Sequence, residues 1–376
     1  MGMLDAWGDH PVVRETLAEA SQSLGEDLGQ LIAHGPKEAL ALTTNTQPVM
    51  LVAAIAAWRV WRAEGGALPI AVAGHSLGEY SALVASGVLS LTEAVPLVRL
   101  RAQAMQEAVP VGQGAMAAIL GLSADQVEQG CAQALSDLGN SHAEVVSAAN
   151  FNDPGQTVIA GSKAGVDKAC EVLKAMGAKR ALLLPVSAPF HCSLMQPAAE
   201  RLRARLAEIE LQAPSIAVIN NIDVAQETEP ARIRDALFRQ AYGPVRWVET
   251  IERMQQSGVT HVVECGPGKV LAGMVKRISP DLQSHALFDP ATLADTFAFL
   301  KARTMTSETP ATQTALVTGA SRGIGAAIAL QLARDGFQVC GTATSAEGAA
   351  RISQALSGFA GCHGAVLQVN DAEQVQ

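Results

Sequence analysis

The sequence lacks every paired-cysteine pattern that would mark a metal site or a redox dithiol. Its six cysteines, Cys131, Cys170, Cys192, Cys265, Cys340 and Cys362, form no C-x-x-C pair and match no zinc-ligand spacing. They are expected to be reduced thiols in a cytoplasmic protein. No apolar run is long enough to span a bilayer; the longest candidate, residues 49–57, stops at Trp58-Arg59. The first residues, Met1-Gly2-Met3-Leu4-Asp5, show no basic stretch followed by an apolar one, so no secretory signal is visible. Basic residues do not dominate: the net charge is −9 and the pI near 5.4, which argues against general nucleic-acid binding. Neither a membrane nor a nucleic acid is an expected partner. What remains is a chain of 376 residues, 49% hydrophobic and 17% charged, with room for two or three domains.

The most informative stretch is Gly74-His75-Ser76-Leu77-Gly78, directly after the apolar run Pro69-Ile70-Ala71-Val72-Ala73. A Gly-x-Ser-x-Gly pattern between a strand and a helix is a nucleophile elbow. The serine then sits on a strained turn with its hydroxyl above the sheet. Gly74 and Gly78 let helix and strand approach closely, and the Leu77 amide is free to donate to an oxyanion. Acyl transfer or acyl hydrolysis through Ser76 is the expected chemistry.

Apolar spacing predicts helices over 12–32, 47–61, from 78, and over 91–105. From residue 114 the pattern reads strand, helix 125–136, a hairpin around Asn152-Asp153-Pro154-Gly155, helix 163–175 and strand 179–184. Strand-helix-strand-strand-helix-strand is the ferredoxin-like order. Residues 114–184 are therefore expected to form a subdomain inserted into a larger one made of 1–113 and 185–302. The larger part resumes with helix 195–209, strand 216–220, helices 233–240 and 247–257, strand 261–264 and helix 268–276. Residues 303–313, polar and threonine-rich, read as a linker. A new strand–glycine turn–helix opens at 314.

A serine nucleophile needs a base. Of eight histidines, His10 and His34 lie at helix ends or in loops, His142, His285 and His363 in polar stretches, and His261 at a strand start. His75 abuts Ser76 but points away if the elbow forms. His191, in a loop after a strand, is the best-placed candidate. Cys192, its neighbour, is a rival nucleophile without an elbow.

Several separated segments now point one way. Gly74-His75-Ser76-Leu77-Gly78-Glu79-Tyr80, Arg101 to Pro110, Asn150 to Gly161, Phe190-His191, Asn220-Asn221 and Gly266 to Leu271 occur in the order found in bacterial malonyl-CoA:acyl-carrier-protein transacylases. Residues 1 to about 300 resemble that family. The resemblance implies an α/β-hydrolase-like large domain with the ferredoxin-like insert. It implies Ser76 as the residue that carries malonyl, and His191 as the base for Ser76 and later for the carrier-protein thiol. It implies Arg101 as partner of the free malonyl carboxylate, Leu77 as an oxyanion donor, and Phe190 as the malonyl-selecting neighbour of the base. A planar guanidinium pairs bidentately with a carboxylate, which would select malonyl over acetyl. Malonyl-CoA and acyl carrier protein are the implied partners in fatty acid biosynthesis, with no cofactor for the transfer. In the family a backbone group holds the base, here expected from Arg246. Family members also begin with a strand and a Phe-Pro-Gly-Gln-Gly-Ser-Gln loop that supplies a second oxyanion amide. This chain starts after that point. Losing one donor costs about 100- to 1,000-fold in rate. The chain as given is accordingly expected to be poorly active and poorly soluble. An inactive remnant and a serine thioesterase or hydrolase are the alternatives.

Residues 314–376 resemble the start of a 3-oxoacyl-acyl-carrier-protein reductase, a short-chain dehydrogenase. Gly319, Ser321, Arg322, Gly323, Ile324 and Gly325 form its phosphate-binding turn, and Thr344 follows the second strand. No Asp or Glu closes that strand, and Arg322 suits a 2′-phosphate, so NADP is expected over NAD. The family's serine, tyrosine and lysine do not occur before Gln376, so reductase activity is not expected, and the segment reads as a partial Rossmann unit.

Overall fold

The computed structural model describes residues 1–140, 143–306 and 314–371. The chain divides into two compact units, Met1–Ala298 and Phe299–Gln376.

The first unit opens with helices α1 (Pro11–Leu24), α2 (Leu28–His34), α3 (Lys37–Ala41) and α4 (Thr43–Ala63). The apolar spacing over 12–32 is split between α1 and α2. Gly25 closes α1 at φ +69°, and the Asp27 side chain caps α2 by accepting from the Gln30 amide. A short strand β1 (Ala71–Val72) then leads into α5 (Gly78–Ala85) and α6 (Leu91–Glu107). A capping box between Ser90 and Glu93 starts α6. Its buried face, Ala94, Leu97, Val98, Arg101, Ala102 and Met105, repeats at helical spacing. Arg101 thus lies on the apolar stripe, facing inward.

Next come β2 (Gly114–Leu120), α7 (Ala124–Asp137), β3 (Val146–Asp153), β4 (Gln156–Ser162), α8 (Lys163–Ala175) and β5 (Arg180–Leu183). The four strands form an antiparallel sheet in the order β3-β4-β2-β5. The hairpin is tighter than predicted: Asp153 pairs with Gln156, leaving Pro154-Gly155 at the tip. Because side chains alternate along a strand, β2 and β4 serve two faces. Ala117, Ile119 and Ile159 face α7 and α8 and pack on Val127, Ala134, Val166 and Leu173. Met116, Ala118, Val158 and Ala160 face the other way and pack on Phe190, Cys192 and Leu194. That second face fixes the loop that carries His191.

The remainder of the unit is α9 (Gln196–Ala207), β6 (Ala217–Val218), α10 (Pro230–Tyr242), α11 (Trp247–Gln256), β7 (His261–Cys265), α12 (Val270–Ile278), β8 (Gln283–Leu287) and the first part of α13 (Pro290–Thr306), which continues past Ala298. β1 pairs in parallel with β6, and β7 with β8. The strands predicted at 69–73 and 216–220 shrink to two residues each, Ala71–Val72 and Ala217–Val218. Ile70 remains 63% exposed, off the ladder. β8 and α13 were not anticipated. α13 runs through 303–306, so the predicted linker begins as helix; its residues 307–313 lie outside the described residues.

In the second unit β9 (Thr314–Val317), β10 (Gln338–Ala343) and β11 (His363–Val366) form a parallel sheet in the order β11-β10-β9. α14 (Gly323–Arg334) and α15 (Ala346–Ala355) connect them. Val317, Val339, Ala343, Ala329 and Ile352 form its core.

Among the described residues no helix is long and apolar enough to cross a membrane. No group of three or more His, Cys, Asp and Glu among them is arranged to hold a metal ion.

Candidate active site

Ser76 sits between β1 and α5 with φ +54°, a left-handed conformation that costs a non-glycine residue energy and persists only where its surroundings hold it. The requirement for glycine falls on one side of the turn. A Cβ on Gly74 would lie 1.9 Å from the carbonyl carbon and oxygen of Gly78, whereas one on Gly78 would meet nothing within 4 Å. Asn221, fully buried in the turn after β6, staples the elbow. Its Oδ1 accepts from the Ser76 amide at 2.7 Å and its Nδ2 donates to the Gly74 carbonyl at 2.8 Å. Among the described residues the Leu77 amide has no hydrogen-bond acceptor.

His191 is also strained, at φ +62°, and 3% exposed. Its Nδ1 lies 3.0 Å from the Gln240 carbonyl oxygen, which can only accept, so the proton is on Nδ1. Nε2 is then a free acceptor, and the Ser76 hydroxyl reaches it at 2.6 Å. Burial, reinforced by the charge of Arg101, pushes the His191 pKa down to about 3. The imidazole is neutral at physiological pH and ready to take a proton.

Arg101, 2% exposed, closes the group from α6. One terminal nitrogen donates to Gln47 Oε1 at 2.6 Å. The other lies 3.2 Å from both Ser76 Oγ and Gln240 Oε1. The Tyr80 ring sits 5.4 Å beneath the guanidinium carbon. A nucleophile, a neutral base and a fixed cation therefore converge on one oxygen. That is equipment for acyl chemistry on a substrate bearing negative charge.

Comparison with known proteins agrees. Residues 1–297 match the acyl transferase domain family and residues 313–376 the short chain dehydrogenase family. The malonyl CoA-acyl carrier protein transacylase of Salmonella typhimurium is 50% identical over 295 residues, 78% of this chain and 94% of that one. The crystal structure of the acyl-carrier-protein S-malonyltransferase from Burkholderia pseudomallei is 60% identical, covers 79% of this chain and 95% of its own, and superposes with a TM-score of 0.77. A malonyl-transacylase solved in complex with a type II PKS acyl-carrier protein is 48% identical over 80% of this chain and 95% of its own, TM-score 0.76.

This chain belongs to the acyl transferase domain family.

In this acyl transferase the structure brings together Ser76, His191 and Arg101, and Leu77 follows the serine in the elbow. Phe190 stands next to the base but turns onto the sheet face formed by Met116, Val158 and Ala160. His75 points away from Ser76, as predicted, pairing with Asn152 Oδ1 at 2.8 Å and meeting the Trp247 ring edge-on. Arg246 does not orient the base. Its side chain pairs with Glu249 and its amide donates to Asn221, while the Gln240 carbonyl holds His191. Cys192 is 1% exposed, donates to the Pro189 carbonyl at 3.1 Å and has its pKa pushed up to about 11 by burial. It is no thiolate and no nucleophile. His142 lies outside the described residues.

Sequence reasoning missed Gln47 and Gln240, and saw Glu79 and Asn221 only as parts of matching segments. Each is an ordinary polar residue in its local sequence. Their contacts to the site span 49 to 164 positions of chain.

In the second unit Gly319 at φ +66° and Gly323 at φ +59° shape the turn before α14. A Cβ on Gly325 would lie 2.4 Å from the Gly319 carbonyl oxygen. Arg322 precedes the helix and is exposed, as are Gly323, Ile324 and Thr344; Ser321 is half-buried.

Proposed function

We propose that this chain transfers a malonyl group from malonyl-CoA to the phosphopantetheine thiol of acyl carrier protein, as a step in fatty acid biosynthesis. The observation that carries this reading is the position of Arg101, whose guanidinium nitrogen lies 3.2 Å from Ser76 Oγ. It puts a carboxylate receptor within one short acyl chain of the nucleophile.

In the first half-reaction Ser76 Oγ attacks the thioester carbonyl while His191 Nε2 takes its proton. The oxyanion is met by the Leu77 amide. Collapse breaks the carbon–sulfur bond, and His191 returns the proton to the departing thiolate. This leaves malonyl-Ser76. In the second half-reaction His191 deprotonates the carrier thiol, which attacks the ester, and Ser76 recovers the proton. The serine and base are regenerated without any redox change. Arg101 holds the malonyl carboxylate through both halves, exchanging contacts with Ser76 and Gln240 for the substrate. Phe190 is assigned to substrate binding beside the base.

The strand order β3-β4-β2-β5 supports reading 114–184 as a ferredoxin-like subdomain inserted into an α/β-hydrolase-like domain of 1–113 and 185–302. The transfer itself needs no cofactor in this reading, and the location is cytoplasmic. For 314–376 we assign NADP binding to the turn Gly319, Ser321, Arg322, Gly323, Ile324 and Gly325, with Thr344. The left-handed glycines, the close approach at Gly325 and the exposed Arg322 at the N-terminus of α14 fit a dinucleotide phosphate.

Intact-protein mass spectrometry after brief incubation with malonyl-CoA tests the transfer. The wild-type chain is expected to gain one malonyl group and Ser76→Ala none. A wild-type protein still unmodified after prolonged incubation, or an adduct that survives in Ser76→Ala, would falsify the mechanism.

A further inference from the structure

Glu79 is a carboxylate where none is needed for the steps above. It lies in the first turn of α5, three residues past the nucleophile, and is 2% exposed. A buried carboxylate is costly unless it is bound. Its Oε2 accepts two hydrogen bonds, from the Asn221 amide at 2.8 Å and from Gln240 Nε2 at 3.1 Å. Those two residues hold the nucleophile turn and the base and, with Gln47, the cation. Asn221 staples the Ser76 amide and the Gly74 carbonyl. Gln240 donates to the Ser76 carbonyl at 2.9 Å, accepts from Arg101 through Oε1 and holds His191 through its main-chain oxygen. Among the described residues no other side chain joins both arms.

We propose that Glu79 is a positioning residue: by gripping Asn221 and Gln240 at once, it holds Ser76 in its strained turn and keeps base and cation aligned on the serine oxygen. The proposal rests on Ser76 being the nucleophile, not on the acyl group being malonyl. The grip is strongest with the carboxylate ionised, since charged acceptors bind donors more tightly. Three charged or titratable groups bear on that ionisation. Arg101 on α6 favours it, Asp223 beyond Asn221 opposes it, and Tyr80 on the same helix couples to it. Burial outweighs them and pushes the Glu79 pKa up to about 7, so the grip weakens as pH falls through neutrality. His191 stays neutral down to about 3 and adds no step there.

The experiment follows labelling of Ser76 in the full chain by diisopropyl fluorophosphate, a neutral probe that bonds the serine oxygen to phosphorus and releases fluoride. Glu79→Ala removes the acceptor and is expected to slow labelling about 10- to 100-fold, the size of losing hydrogen bonds to a charged group. Glu79→Gln keeps an oxygen for both donors and loses only the charge. It should label within about threefold of wild type at about pH 8. Between about pH 8 and about pH 6 the wild-type rate should fall by about twofold to threefold, to the level of Glu79→Gln, while the Glu79→Gln rate stays flat. Folded Glu79→Ala that labels at the wild-type rate overturns the proposal. So does a neutral-pH step that persists unchanged in Glu79→Gln, a comparison that decides the matter even if Glu79→Ala does not fold. Malonyl-CoA is run in parallel: a wild-type chain that takes the phosphoryl label but no malonyl group would overturn the malonyl reading and leave the Glu79 comparison intact.

Discussion

At the residue scale the site is organised around one oxygen atom. Ser76 Oγ donates to a histidine held neutral by burial and accepts from an arginine that is equally buried. The same burial that lowers the His191 pKa makes Arg101 effective, because an ion pair formed away from water is weakly screened. Truncating one partner of such a pair costs about 3 kcal/mol, on the order of 100-fold. Arg101→Ala should therefore lower kcat/KM for malonyl-CoA by about 100-fold and leave the slow acylation by acetyl-CoA nearly unchanged. Arg101→Lys should restore little, since an ammonium cannot make the bidentate contact. Equal losses for both thioesters in steady-state kinetics would show that Arg101 serves the fold rather than the carboxylate.

At the element scale the elbow depends on how closely β1 and α5 meet. The strand is only Ala71–Val72, so the ladder gives the turn little support. Side chains from the turn after β6 and from α10 supply it instead, through Asn221 and Gln240. Gly74→Ala drives a methyl group into the Gly78 carbonyl, main-chain atoms that cannot swing aside. Overpacking of this kind costs about 1–3 kcal/mol. The expected result is a lower urea midpoint together with loss of Ser76 labelling, whereas Gly78→Ala, with open space around it, should be mild. Gly74→Ala labelling like wild type would mean that the helix can move away without disturbing the nucleophile.

At the scale of the whole molecule, the site is a source of instability. Glu79 has its folded pKa raised to about 7 from an ordinary value of 4.5. Between those values the folded state holds more protons than the unfolded one, so stability falls as pH rises through that window and stays reduced above it. The size is on the order of 3 kcal/mol. His191 works in the opposite sense: its folded pKa of about 3 lies below the ordinary 6.5, so its contribution is lost as pH falls from 6.5 towards 3. Glu79→Gln should be more stable than wild type at about pH 8, and the gap should close towards about pH 4.5. Urea unfolding at both pH values measures it, and a gap that does not change with pH would show that the carboxylate is no strain on the fold.

The sequence by itself determined what local rules can carry. α8 appears at its predicted residues, Lys163–Ala175, because amphipathic spacing and a serine cap decide it within one segment. The strand-helix alternation of 114–184 was legible for the same reason. So were the elbow at Ser76 and the outward turn of His75, both set by adjacent residues. The single helix expected over 12–32 broke at Gly25 because a glycine cap ends a helix whatever the apolar spacing beyond it. The partner of His191 was expected near Arg246 and is the main-chain oxygen of Gln240, since a carbonyl leaves no signature in a side-chain pattern. Arg101 by itself reads as a solvated helix residue; only the packing of α6 buries it. Glu79, Asn221, Gln240 and Gln47 join the site through hydrogen bonds spanning 49 to 164 positions of chain. Tertiary structure alone decided that assembly, because burial is what turns ordinary polar residues into a fixed network: buried away from water, each must find its partner within the protein.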